Sequence, residues 1–374
     1  SEMCIRDRMS TIFPAVRAVG EQKGEKIFYL TAKTITRTVA EEAFSILREH
    51  GLSYKVITLT AKEKMCVCGE VDCNPESCPR ARGHYDRINT AVFELLNTCD
   101  TFTREVLLDA AKKHQVCPYE FQLDLASWVD AVICDYNYVF DPVVRLRRFF
   151  GEGAGKGGHI FLIDEAHNLV DRGREMFSAS VYKEEFLEIR RLVKPFAVSK
   201  KLMRALERCN RQLLVYKREC EGECLELTNV GEFVLSMMNL AGELEVFLQD
   251  YKEGELRKQV LEFYFRVRAF VNIYELLDEN YMIYARHTEE GRFQLKLFCV
   301  NPAGNLQECL NKGRSTVFFS ATLLPVNYYK KLFSTNEDDY AVYVNSPFDS
   351  TNRKLLLGRE VSTKSVSYTH LRAH

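Results

Sequence analysis

An α/β fold wound around a parallel sheet is what this sequence predicts, and three observations carry the prediction. Short, continuous apolar runs recur at residues 26–30, 56–59, 131–134, 159–163 and 315–319, the pattern of strands buried on both faces. Segments of helical character separate several of them, as the crossovers between parallel strands require. The runs end in polar or charged residues, which puts chemistry at strand C-terminal ends, where open α/β sheets bind ligands.

Along the chain, residues 12–19 predict a helix and 26–30 the first strand. Thr31-Ala-Lys-Thr34 follows as a loop, then a helix through residue 46 and a strand over 56–59. A cysteine-rich, irregular stretch begins at Ala61 and ends near Cys117. The strand 131–134 leads into Asp135-Tyr-Asn-Tyr138, and a glycine-rich loop over 151–158 precedes the next strand. From about residue 177 to 280 the pattern changes to long helices. Phe233, Met237, Leu240 and Leu244 recur at helical spacing, as do Tyr264, Val267, Val271 and Tyr274, which predicts the core of a helical domain. Residues 281–284 and 293–300 flank Glu289-Glu290-Gly291 and predict a hairpin; 315–322 then resumes the sheet as a strand ending in a polar loop.

A chain of 374 residues is long enough for two or three domains. Its net charge of −1 excludes a global basic field, so any nucleic-acid site must be a local patch. No apolar run reaches membrane-spanning length, and no secretory signal pattern opens the chain. Thirteen cysteines in a chain of this size do not suit a small secreted disulfide scaffold. The expectation is a cytoplasmic protein with no membrane partner.

The two ends share an unusual property. Ser1-Glu-Met-Cys-Ile-Arg-Asp-Arg8 can be encoded by TCG GAG ATG TGT ATA AGA GAC AG, and the reverse complement of that DNA encodes Val366 to Arg372. One segment in opposite orientations thus accounts for both termini and resembles a sequencing adapter. Residues 1–8 and 366–374 are therefore expected to take no part in the fold, with Met9 and Ser365 as cut points.

The run His159-Ile-Phe-Leu-Ile-Asp164-Glu165-Ala166-His167 is the most informative motif. Two adjacent carboxylates at the end of a buried strand suit phosphate chemistry: Asp164 to hold Mg²⁺, Glu165 to orient or deprotonate the attacking water. This is the DEAH form of the Walker-B signature. An acidic helix N-cap after an ordinary strand gives the same residues and stays open as an alternative. Gly151-Glu-Gly-Ala-Gly-Lys156-Gly-Gly158 is not the complementary phosphate loop, because Gly follows Lys156 where Ser or Thr is needed and a strand follows where a helix is needed. It reads as a flexible loop.

Cys66, Cys68, Cys73 and Cys78 lie within thirteen residues, with Cys117-Pro118 further on. Cysteines this dense in a polar segment point to a metal or iron–sulfur centre. Paired C-x₂-C knuckles are lacking, zinc stays open, and unrelated free cysteines are the plain alternative. Cys220 and Cys224 form a weaker second pair; Cys134, Cys209 and Cys299 read as core or surface residues.

Taken together, these motifs resemble the XPD/DinG-like helicases of superfamily 2, bacterial members above all. The resemblance rests on Lys62-Glu-Lys-Met-Cys66, Cys73, Cys78-Pro-Arg-Ala-Arg-Gly-His84-Tyr-Asp86-Arg87, His114-Gln-Val-Cys117-Pro118, Asp135-Tyr-Asn-Tyr-Val-Phe-Asp-Pro142 and Phe319-Ser-Ala-Thr-Leu-Leu-Pro325, and covers nearly all of residues 9–365. It implies an ATP-driven 5′→3′ DNA helicase acting on single-stranded and forked DNA, of a kind found in DNA repair. The fold implied is a RecA-like parallel-sheet motor domain (9–60, 128–170 and 295–322) with an inserted Fe–S domain (61–127) and an inserted helical Arch domain (171–294), and residues 323–365 begin a second motor domain. It further implies a [4Fe–4S] cluster on Cys66, Cys73, Cys78 and Cys117, with Cys68 as the spare; Mg²⁺ on Asp164; water activation by Glu165; and coupling through His167, Ser320 and Thr322. Thr31, Lys33 and Thr34 would meet the DNA backbone, and Lys64, Arg80, Arg82 and Arg87 would give the cluster domain a local basic surface. Tyr85 reads first as a packed tyrosine and second as a stacking platform. In the family the phosphate loop precedes the segment matching 9–14, so this polypeptide is expected neither to hydrolyse ATP nor to unwind DNA. A non-catalytic DNA-binding Fe–S or zinc protein on the same fold is the alternative.

Overall fold

The structure, a computed structural model, describes residues 2–32, 34–68, 73, 75–151, 153–196, 200–251 and 254–343. In chain order the elements are α1 (Glu2–Gly20), β1 (Lys26–Leu30), α2 (Thr34–Glu49), β2 (Val56–Thr58), α3 (Lys62–Met65), α4 (His84–Thr98), β3 (Thr101–Phe102), α5 (Arg104–His114), α6 (Pro118–Leu125), β4 (Ala131–Cys134), α7 (Asn137–Phe140), α8 (Arg147–Phe150), β5 (His159–Asp164) and α9 (His167–Met176). There follow β6 (Ala179–Tyr182), α10 (Lys183–Val193), α11 (Lys200–Glu219), β7 (Cys224–Leu227), α12 (Gly231–Asp250), α13 (Glu255–Tyr274), β8 (Tyr281–His287), β9 (Phe293–Cys299), α14 (Ala303–Leu310), β10 (Ser315–Phe319) and α15 (Val326–Phe333).

Six strands form one parallel sheet in the order β10-β5-β1-β4-β2-β3. Its central strands β1, β4 and β5 are buried at every position, which explains their unbroken apolar runs. Alternate residues pack to opposite faces. Ile27, Tyr29, Ile133 and Leu162 meet Ile12 and Val16 of α1 and Phe44 of α2 on one side. Phe28, Leu30, Val132, Phe161 and Ile163 meet Phe140, Phe150 and Leu169 on the other. Leu30 lies level with both Cys134 and Ile163, and Asp164 with Phe319. The residues that follow these strands therefore emerge along one edge.

Four expectations from the sequence change with the structure. Residues 1–8 were to stand outside the fold, yet α1 runs without a break from Glu2, and Arg8 is buried. The stretch from Ala61 is not irregular throughout: α4, α5 and α6 cover much of it, and β3 adds the last strand of the main sheet. The segment 171–294 is not purely helical. Its helices α10–α13 share a core with an antiparallel sheet ordered β6-β9-β8-β7, so the expected hairpin, β8 and β9, is the centre of four strands. The start of a further domain at 323 also shifts. Leu332 and Phe333 of α15 join the main-sheet core, and Phe333 stacks on Phe318 with ring centroids 4.6 Å apart. Ser1–Glu337 form one compact unit; of Asp338–His374, only 338–343 are among the described residues.

One buried cation ties the inserted segment to the sheet. Lys26 Nζ donates to the carbonyl oxygens of Ala126 (2.9 Å), Ser127 (3.4 Å) and Val129. Burial pushes its amine down to about 8, with Asp130 opposing the shift. Lys26→Met would leave these carbonyls without their donor, an expected loss of about 2 kcal/mol at pH 7 seen as a lower melting temperature. The pH dependence has a definite sign. A lysine whose folded pKa lies below its unfolded value contributes stability that is present above the unfolded pKa and lost as pH falls through about 8. The stability difference between wild type and Lys26→Met should therefore grow from about pH 8 to 10.5; a flat difference would contradict this.

Candidate active site

The strand ends on that shared edge assemble the site. Asp164 is the last residue of β5 and only 3 % exposed. Its Oδ2 accepts hydrogen bonds from the Tyr29 hydroxyl and from Arg8 Nε, each at 2.7 Å. Burial raises the Asp164 carboxyl above its ordinary value, while Tyr29 and Arg8 pull it back. Burial likewise raises the Tyr29 and Tyr136 hydroxyls, with Asp164 adding to both shifts. Both phenols stay protonated donors.

Glu165 has a φ of 50°, left-handed backbone that a non-glycine residue adopts only where its surroundings hold it. The Tyr136 hydroxyl provides such a hold, donating to the carbonyl of Asp164 and, at 3.0 Å, to that of Glu165. The turn then starts α9, with Asn168 N bonding Glu165 O at 2.9 Å. This conformation turns the Glu165 side chain toward the end of β10. Ser320 Oγ lies 2.8 Å from His167 Nδ1 and 3.3 Å from Glu165 Oε2, and His167 Nδ1 is 3.5 Å from that same oxygen. Thr322 Oγ1 sits 3.4 Å from both Ser320 Oγ and His167 Nδ1. Glu165, His167, Ser320 and Thr322, four of the residues singled out at the acidic and Ser-Ala-Thr motifs, thus form one connected group, with Asp164 held separately by Tyr29 and Arg8. A carboxylate joined to an imidazole and two hydroxyls can orient a water molecule and pass changes between two strand ends.

Asp164 and Glu165 offer the oxygen donors that a divalent cation requires. As the chain stands, however, Arg8 already places a cation there. It is 5 % exposed, bonded to Asp164 and 3.9 Å from Glu165 Oε1. The residues present therefore do not fit Mg²⁺ on Asp164, because a guanidinium fills the position. Nothing in the sequence pattern signalled this contact. The glycine-rich loop lies before β5, at the opposite end of a six-residue strand, roughly 20 Å of extended chain from Glu165.

The cysteines fall into two groups. Cys68 Sγ lies 3.8 Å from Cys78 Sγ, and Cys66 Sγ is 3.8 Å from the Cys68 carbonyl. Burial pushes the Cys68 thiol up to about 11, with Cys78 and Cys66 adding to the shift. Cys117 is raised by burial and, to a smaller extent, by Cys73, which also bonds Lys62. Among the described residues no three ligand side chains are gathered as a metal site. The expected set of four sulfurs is thus divided, with Cys68, expected as the spare, in contact with Cys78. The donors still suit a thiolate-bound centre in kind: five free thiols on adjoining loops, with Cys117 capping α6. Cys220 directs its thiol to the carbonyls of Gly222 and Ala285, leaving the second pair without a ligand geometry.

The residues expected to meet DNA divide as well. Thr31 is 0 % exposed and its hydroxyl pairs with that of Thr36, so its side chain shapes the loop from within. Lys33 and the Thr34 side chain lie outside the described residues. Arg82 caps the carbonyls of Pro75 and Glu76, Arg87 those of Arg82 and Gln115, and Arg80 that of Ala111. These guanidiniums order the loop first and lend their charge second. Lys64 is exposed. Tyr85, expected as packed, is 81 % exposed and meets His84 edge-on.

Residues 31–186 match the DEAD_2 family model. Over 89 residues, 24 % of this chain, the sequence is 35 % identical to the Fanconi anemia group J protein homolog of Gallus gallus. Over 175 residues, 43 % of this chain, it is 23 % identical to the Regulator of telomere elongation helicase 1 homolog of Anopheles gambiae. The matches span 7 % and 17 % of those relatives' lengths. The fold is that of the solved structure titled "Truncated XPD", with a TM-score of 0.53 at 18 % identity over 87 % of this chain and 89 % of the other. Residues 31–186 thus carry a DEAD_2 domain, and the six-stranded RecA-like sheet has the fold of that XPD structure.

Proposed function

We propose that the protein to which this chain belongs is an ATP-dependent 5′→3′ DNA helicase of the Fe–S type. The observation that carries this reading is the joining of Glu165, His167, Ser320 and Thr322 at the ends of β5 and β10. Phosphoryl-transfer motors need a water-orienting acid linked to a group that senses the neighbouring elements, and this cluster supplies both. Glu165 is the water-orienting group. ATP and Mg²⁺ are the family's reactants, and Asp164 is available to the metal only where Arg8 does not cover it. Cys66, Cys73, Cys78 and Cys117 would hold a [4Fe–4S] cluster, whose domain helps part the strands of forked DNA.

The polypeptide itself fits the non-catalytic alternative, DNA binding without turnover, and the observation favouring this is the Arg8–Asp164 ion pair. DNA binding tests what the two readings share. An exposed tyrosine in the segment that also carries Arg80, Arg82 and Arg87 suits base stacking beside phosphate-attracting charge. Tyr85→Ala is expected to weaken binding of a 20-nucleotide single strand about tenfold, with affinity falling as salt rises. Fluorescence anisotropy reads both effects; unchanged affinity in Tyr85→Ala removes the stacking role. Unwinding and DNA-stimulated ATPase by a longer chain that carries a phosphate loop test the helicase reading directly.

A further inference from the structure

One carboxylate lies between the loop after β1 and the acidic turn after β5, and neither site has an assigned use for it. Asp135 follows β4, level with Thr31, whose N–H bonds the Cys134 carbonyl at 3.0 Å. Its Oδ2 accepts from Arg37 at 3.3 Å, and Arg37 sits one turn into α2, the helix that the Thr31 loop begins. Its Oδ1 accepts from Arg172 at 3.4 Å, in the second turn of α9, the helix that His167 begins. Arg172 also donates to Asn137 Oδ1 at 3.1 Å, and Asn137 N–H bonds Asp135 Oδ1 at 3.1 Å, so the carboxylate is fixed from its own side too. The next residue, Tyr136, is the one whose hydroxyl holds the Asp164 and Glu165 carbonyls.

We infer that Asp135, with Tyr136 beside it, is the positioning element that couples the loop between β1 and α2 to the Asp164–Glu165 turn. The physical reason is the sharing of a single carboxylate. That charge draws together two guanidiniums from two helices, so a shift of α2 is transmitted to α9 through it. A ligand that moves or stiffens the loop biases the turn through this contact, and the left-handed backbone of Glu165 makes that turn dependent on the contacts that hold it. The inference rests on the nucleic-acid reading given above.

Hydrogen exchange read by mass spectrometry on this chain, with and without a 20-nucleotide single strand, is the test. In the wild-type chain DNA should slow exchange about fivefold in peptides over both 31–40 and 164–172. Asp135→Asn, which keeps the shape and removes the charge, should bind DNA within about threefold of wild type and retain the response at 31–40, yet lose it at 164–172. Arg172→Gln removes the arm to α9, together with the bond to Asn137, and leaves Arg37 in place; it should do the same if Asp135→Asn fails to fold. Asp135→Glu, which restores the charge, should recover the distant response, a rescue that a purely structural role does not predict. An undiminished response at 164–172 in Asp135→Asn or Arg172→Gln overturns the inference, as does DNA binding with no response there in wild type. If the wild-type chain does not bind DNA at all, the nucleic-acid reading fails first and takes the inference with it.

Discussion

Arg8→Ala is expected to open Asp164 to divalent cations. Arg8 Nε bonds the carboxylate at 2.7 Å with both side chains almost completely buried, so any metal must displace a guanidinium before it can bind. Removing one partner of a buried ion pair leaves the other charge unmatched, a state that typically costs about 3–5 kcal/mol and that a cation relieves. Mn²⁺ is a convenient probe, because its resonance spectrum reports the free ion. We expect Arg8→Ala to bind Mn²⁺ at least about tenfold more tightly than the parent chain, which corresponds to ~1.4 kcal/mol. Arg8→Lys keeps a cation in place and should not gain affinity. The gain should fall away at low pH, since burial raises the Asp164 carboxyl and a protonated acid does not hold a metal. Equal Mn²⁺ affinity in the parent and in Arg8→Ala would show that Arg8 does not block the site.

Cys78→Ser is expected to abolish iron binding. Cys78 is buried, touches Cys68, and precedes the Pro-Arg-Ala-Arg loop that Arg82 and Arg87 pin to the backbone. A serine oxygen is a poor substitute for a thiolate on iron. After anaerobic reconstitution with iron and sulfide, the parent chain should show broad visible absorption. Cys78→Ser should retain less than about a tenth of it. Cys66→Ser and Cys68→Ser separate the two choices for the first ligand: the motif assigns Cys66, and the contact with Cys78 brings Cys68 into consideration. A parent chain that takes up zinc and gains no visible band would overturn the iron–sulfur reading and leave the fold untouched.

Much of the framework was legible because parallel strands write a plain signal. Lys26–Leu30 and Ala131–Cys134 were bounded from their apolar runs alone, and His159–Asp164 to within one residue, since burial on both faces favours apolar residues throughout them. The acidic turn was legible for the same reason, as the first polar residues after such a run. The four-stranded sheet between residues 179 and 299 was less so. Cys224–Leu227 alternates only between exposed and half-buried, and its pairing with β8 crosses more than fifty residues. Tyr29 and Tyr136 were hidden differently. Each reads as a core aromatic, and only the fold shows that each hydroxyl reaches the acidic turn.

The sequence by itself determined which residues end the strands, and therefore which chemical groups were available: two carboxylates, an imidazole, hydroxyls and a set of thiols. The tertiary structure alone decided what each group meets. It put Arg8 on Asp164, buried Thr31 against Thr36, turned the arginines of the cysteine loop onto carbonyls, and set Asp135 between Arg37 and Arg172. The reason is a matter of range. Hydrophobic periodicity is local and survives in any register, whereas a hydrogen bond between residues 156 positions apart exists only once the sheet has brought both ends to within 3 Å.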